Sequence, residues 1–149
     1  MVYLALRRTP APGFLPGIFS WLTCARLVTK FPHSGIVIDD RLYEATFKYG
    51  LRDTPFLPDG WVLKQVHIDP ALVLARYAKV KGARYDWFSL LAYVFPFRIS
   101  YSKWYYCYEW CSYALSGVIP TSRITAEDLL ILADVINHGK ENDALGMVR

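Results

Sequence analysis

Cysteine is scarce: three residues in a chain of 149, at Cys24, Cys107 and Cys111. An odd, sparse set does not build a disulfide framework, so a reducing compartment is expected. Long apolar runs are also missing. The stretch Gly13–Val28 is broken by Pro16 and Arg26 and falls short of the roughly 20 residues that span a bilayer, so neither a transmembrane segment nor a secretory signal is expected. Phosphate and nucleophile loops are absent: there is no GxGxxG, no GxxxxGK[ST] and no GxSxG. Gly and Pro number nine each and show no period, which excludes collagen-like and repeat architectures. Charged residues make up only 20%, against 54% apolar, which excludes bulk disorder. The seventeen Lys and Arg are scattered, so a net charge of +4 describes a mildly basic surface, and no nucleic-acid partner is expected.

What the chain does have is aromatic mass, 16% of residues with eleven Tyr and five Trp, and enough length for one domain. Val2–Leu6 reads as a strand, Thr9–Gly17 as turn-rich, and Phe19–Val28 as a helix. Two β-prone runs flank Asp39-Asp40, the signature of a hairpin. Val62–Ile68 reads as a strand and Ala71–Val80 as a helix stopped near Gly82. Asp86 is placed to cap a helix over Trp87–Val94. Another helix starts near Tyr106, with Cys107, Trp110, Cys111, Ala114, Leu115 and Val118 on its apolar face. The last begins at a capping box, Thr125-Ala-Glu-Asp128, buries Leu129, Leu132, Ala133 and Ile136, and is expected to stop at Gly139. Residues 1–139 then form one domain and 140–149 a flexible tail. Strands early and helices late give an α+β class.

Cys107 carries the most chemical information. In the first turn of a helix, the dipole and unsatisfied backbone N–H groups favour a thiolate and offer oxyanion donors. The competing reading is a small buried hydrophobe, which also serves for Cys111 and Cys24. A thiolate nucleophile needs a base. His138 is expected at a helix end, where a cation complements the dipole, and His67 reads as structural. His33 stands at the mouth of the hairpin. If Asp39-Asp40 is a two-residue loop, Ile38 pairs with Arg41, Gly35 with Glu44 and His33 with Thr46, and Glu44 lies diagonal to His33. A three-residue loop would send Glu44 to the opposite face. A carboxylate beside an imidazole can hold its tautomer, as in a triad. The set His33, His67, Cys107 and Cys111 matches no zinc spacing, and neither metal nor cofactor is expected.

Four runs, Pro32-His-Ser-Gly-Ile-Val-Ile, Leu42-Tyr-Glu-Ala, Gly82-Ala-Arg-Tyr-Asp-Trp and Tyr106-Cys-Tyr-Glu-Trp-Cys-Ser-Tyr-Ala-Leu, together resemble the circularly permuted NlpC-type papain-like hydrolases. These include the YiiX/YaeF-type amidases and phage-encoded relatives. In that family the histidine strand precedes the cysteine helix, as it does here. The resemblance spans residues 1–136 and implies a small antiparallel sheet packed on helices. It implies Cys107 as nucleophile, His33 as base and Glu44 as the residue orienting the histidine. Tyr85, Tyr106 and Tyr108 become candidate substrate contacts, and Glu109 a structural or dipole-facing acid. Tyr108 departs from the family, which often has a small residue there, and His33 is flanked by Pro32 and Ser34 where a preceding Ser is common. The implied substrate is a peptidoglycan peptide or another small amide or ester, in the cytoplasm or a phage particle. Two alternatives stand beside it: a catalytically silent binding or virion-assembly protein on the same fold, and a lipid acyltransferase of the permuted family.

Overall fold

The structure, a computed structural model, describes residues 1–8, 29–86, 104–120, 122 and 124–146, with 140–146 as backbone alone. The expected turn region Thr9–Gly17, the helices over Phe19–Val28 and Trp87–Val94, and Cys24 lie outside the described residues.

Five strands make one antiparallel sheet: β1 (Val2–Arg7), β2 (His33–Ile38), β3 (Arg41–Thr46), β4 (Gly50–Pro55) and β5 (Trp61–Val66), ordered β4-β3-β2-β1-β5. Helix α1 (Pro70–Val80) follows, then the short parallel pair β6 (Arg84–Tyr85) and β7 (Trp104–Tyr105), then α2 (Cys107–Ser116) and α3 (Ala126–Gly146). The class is α+β, with an antiparallel sheet and three helices.

The β2–β3 hairpin forms because Asp39 and Asp40 both accept the left-handed conformation, with φ of 47° and 61°. A two-residue loop with both φ positive matches the right-handed twist of the strands it joins. The ladder pairs Ile38 with Arg41, Val37 with Leu42 and Ile36 with Tyr43. Alternation then sorts the two faces. Leu4, Leu6, Ile36, Ile38, Tyr43 and Ala45 point at the helices and form the main core with Trp110, Cys111, Leu115, Leu129 and Ala133. On the other face Ala5, Val37 and Leu42 make a small second core under Phe56 and Trp61, whose rings meet at 6.2 Å.

The helices are fixed by specific ends. Asp69 caps α1 by accepting from the Ala71 N–H at 2.9 Å, with Pro70 in the first turn. Gly117 ends α2 in the left-handed conformation, φ 80°, its N–H donating to the Tyr113 carbonyl. The Thr125–Asp128 box forms reciprocally: the Asp128 carboxylate accepts from the Thr125 N–H at 2.8 Å, and Thr125 Oγ1 accepts from the Asp128 N–H at 3.2 Å.

Three expectations need correction. Gly139 does not stop α3, which runs on to Gly146, so His138 sits within the helix rather than at its end. An exposed glycine costs about 1 kcal/mol of helix propensity, too little to end a helix anchored elsewhere. Val118 lies beyond α2 and is exposed, because Gly117 turns the chain away first. Strand β4 was not anticipated, and the following strand ends at Val66, before His67.

Candidate active site

His33 opens β2 and points, by alternation, to the face shared by Gly35 and Val37. Glu44 on β3 shares that face with Leu42, as the two-residue turn requires. The diagonal is closed by a hydrogen bond: His33 Nε2 to Glu44 Oε2 is 2.9 Å. Gly35 leaves room for it. A Cβ there would meet Leu42 Cδ1 at 2.6 Å, the Tyr43 carbonyl oxygen at 3.1 Å and Glu44 Cβ at 3.5 Å.

The carboxylate is itself held. Arg52, the register partner of Glu44 on β4, donates to Oε1 from Nη2 at 2.9 Å and from Nε at 3.2 Å. Its guanidinium lies 4.5 Å from the centroid of Tyr49. Burial pushes the Glu44 carboxyl up. The hydrogen bond and charge of His33, with Arg52 behind, outweigh it and leave the group below its ordinary value.

Cys107 is the first residue of α2, and Tyr106 is the N-cap. His33, hydrogen-bonded to Glu44, also has Cys107 for a neighbour, close enough for the thiol to act on its pKa. Nε2 is committed to the carboxylate. Burial disfavours the imidazolium, but Cys107 and Glu44 together raise its pKa to about 9. The imidazole therefore has the thiol for a neighbour and, as hydrogen-bond partner, a carboxylate backed by a guanidinium.

Three contacts lace α2 to β2 and set this arrangement. The Tyr108 hydroxyl donates to the Phe31 carbonyl, two residues before His33. Cys107 meets His33, and Cys111 Sγ donates to Ser34 Oγ at 3.3 Å. On β3, the Trp110 indole N–H donates to the Tyr43 carbonyl at 2.9 Å. Cys111 is fully buried, and burial pushes its thiol well up, so one helical turn separates two thiols of different environment. Glu109 is structural: its carboxylate accepts from the Tyr106 N–H at 3.4 Å.

The tyrosines expected at a substrate surface are placed differently. Tyr106 is 3% exposed, and its hydroxyl bonds both the carbonyl and the N–H of Ile124, tying the entry of α3 to the start of α2. Tyr108 is fully buried and spends its hydroxyl on Phe31. Both are core residues that flank Cys107, because large rings at the first turn of a packed helix have nowhere to go but inward. Tyr85 is half-buried and lies 6.1 Å from the Phe47 ring. His67 lies just past β5, where its backbone N–H donates to Asn137 Oδ1.

Sequence reasoning missed Arg52. Its signal is the register: a strand over Gly50–Pro55 places it opposite Glu44. Among the described residues, no group of three His, Cys, Asp or Glu side chains gathers in a way that could hold a metal ion, and no helix is long and apolar enough to cross a membrane. Compared with protein-family models, curated proteins and solved structures, the chain matches none.

Proposed function

We propose that the chain is a cysteine hydrolase of the permuted papain-like type, acting on an amide or ester through Cys107, His33 and Glu44. The observation that carries this reading is the imidazole that neighbours a helix-N-terminal cysteine and is hydrogen-bonded to an anchored carboxylate. The order of elements, histidine strand before cysteine helix with the sheet packed on that helix, supports the permuted arrangement.

In the proposed reaction His33 holds the proton and Cys107 attacks as thiolate. A C–S bond forms at the substrate carbonyl, and the oxygen gains the charge. The Cys107 backbone N–H, at the first helical position and so without an intrahelical acceptor, is placed to receive that oxyanion. Collapse breaks the C–N or C–O bond, and the leaving group takes the His33 proton. Water then attacks the thioester with His33 as base, and the acid departs as the thiol is restored. Glu44 keeps the Nε2 proton and orients the ring. A small peptide amide, such as one from peptidoglycan, is the substrate class proposed; acyl transfer to a lipid uses the same first half-reaction.

Cys107 is only 4% exposed, which a silent binding scaffold would also show. Site-resolved alkylation against pH separates the readings. The enzyme reading expects fast modification of Cys107 below about pH 7, slow modification of Cys111, and loss of the fast phase in His33→Ala. A Cys107 that stays inert up to about pH 8.5, the free-thiol value, sinks it in favour of a scaffold. So does hydrolysis of amide and ester panels that survives Cys107→Ala.

A further inference from the structure

Arg7 closes β1 and is the register partner of two residues at once, His33 on β2 and Trp61 on β5. All three side chains therefore share one face, with Arg7 in the middle. The His33 and Trp61 rings come within 5.8 Å of each other from either side of it. The guanidinium carbon lies 5.8 Å from the Trp61 ring centroid, and Phe56 packs edge-on against that indole.

Arg7 makes no hydrogen bond or ion pair among the described residues, and its Nε is a buried side-chain nitrogen with no hydrogen-bond partner. A guanidinium cannot shed its proton, so burying Nε unpartnered carries a real desolvation cost. On this face the Glu44 carboxylate is taken by His33 and Arg52. The neighbouring Arg8, by contrast, is exposed. A half-buried cation, held against an indole and left unpaired one strand away from the proposed base, is preorganised for an anion.

We propose that Arg7 and Trp61 form a subsite for a carboxylate on the substrate, about one residue from the scissile carbonyl. This rests on the hydrolase reading and names its substrate class: an amide whose neighbouring residue carries a free carboxylate. The planar fork pairs with a carboxylate through two parallel N–H···O bonds, and the indole supplies an apolar wall that keeps the pair from water. Cross-strand neighbours have Cβ atoms roughly 4.5–5.5 Å apart, so a substrate centred between Cys107 and His33 brings a group one residue away within reach of Arg7.

The test uses two isosteric alkylating agents, N-iodoacetylglycine (anionic) and N-iodoacetylglycinamide (neutral), on the full chain, with modification read at Cys107. The anionic reagent is expected to react roughly tenfold faster in the wild type, the equivalent of one charge-assisted hydrogen bond. Arg7→Gln is expected to erase that preference. Arg8→Gln, which removes the same charge nearby, is expected to leave the preference intact. A preference that persists in Arg7→Gln, or falls equally in Arg8→Gln, overturns the proposal. If Arg7→Gln does not fold, Arg7→Lys decides: a preference reduced but present supports the subsite, and an unchanged one overturns it. If Cys107 resists both reagents, the hydrolase reading fails by itself. The subsite is then read by titrating N-acetylglycine against N-acetylglycinamide and following the Trp61 indole resonance. A shift specific to the carboxylate and lost in Arg7→Gln sustains it; equal shifts sink it.

Discussion

A proton on His33 is held from two sides, and that has measurable consequences for a single residue. The imidazole rises from its ordinary 6.5 to about 9 against the opposing effect of burial, through Cys107 and Glu44. In Glu44→Gln one of those partners loses its charge. The His33 midpoint, followed by NMR of the ring protons, is expected to fall by about one unit or more. An unchanged midpoint would mean that Cys107 alone sets it. The same shift has a sign for stability. A group whose pKa is raised on folding stabilises fully below its unfolded value and loses that contribution as pH rises through the folded one. The urea midpoint is therefore expected to decline between the two values, and to decline less in His33→Ala. The Glu44 contribution runs the other way: its pKa is lowered on folding, so its share is lost as pH falls below the usual carboxylate range. The pairing of these two side chains was legible in the sequence only as a condition, since it turned on the length of the Asp39-Asp40 loop.

Elements show where local sequence suffices and where it does not. The hairpin was legible because β-prone runs bracket two residues that tolerate positive φ. Strand β4 was not, since Gly50-Leu-Arg-Asp-Thr-Pro has little β propensity. It is held by tertiary ion pairs instead: Arg52 with Glu44, and Asp53 with Arg41. The Asp53 carboxylate, which also accepts from the Tyr77 hydroxyl at 2.8 Å, is pulled down to about 2 by that bond and by Arg41. These partners meet only once β4 is paired with β3 or packed on α1, so the propensity of the segment alone does not reveal them. Two substitutions probe the elements. Gly35→Ala forces a methyl into Leu42 and the Tyr43 carbonyl, at an expected cost of about 1–3 kcal/mol by chemical denaturation. A neutral result would show that β2 and β3 separate easily there. Gly139 is the opposite case: nothing lies within 4 Å of where its Cβ would be, inside a continuing helix. Gly139→Ala is expected to stabilise by about 0.5–1 kcal/mol, and a loss of stability would argue against helix at that position.

At the scale of the molecule, the site is a property of packing between a sheet and one helix. Trp110 is fully buried between Tyr77 and the Tyr43 carbonyl, and it seats α2 on β3 while Cys111 and Tyr108 seat it on β2. Trp110→Phe removes the indole N–H from a buried carbonyl and leaves a void, an expected loss of about 2–4 kcal/mol. Because the same contacts place Cys107, loss of the fast alkylation that the proposed hydrolase reading expects of it and loss of far-UV circular dichroism are expected to coincide along a urea titration. Reactivity lost well before secondary structure would mean that α2 detaches on its own. This scale was only partly legible. The apolar stripe of α2 reads from its spacing, but the sequence does not say that Tyr106 and Tyr108 turn inward. That follows from the proximity of Phe31 and Ile124, which only the assembled chain supplies.

The antiparallel sheet, built from residues 2–66, has a temporal consequence. Synthesis delivers His33, Glu44 and Arg52 together with the strands that align them, long before Cys107 leaves the ribosome. A growing chain thus carries the imidazole and its carboxylate before it carries the thiol. The thiol gains its partner only when α2 closes contacts spanning most of the chain, such as Phe31 to Tyr108 and Ser34 to Cys111. The surroundings of Cys107 are thus completed late, once the chain has supplied both the sheet and the helix that packs on it.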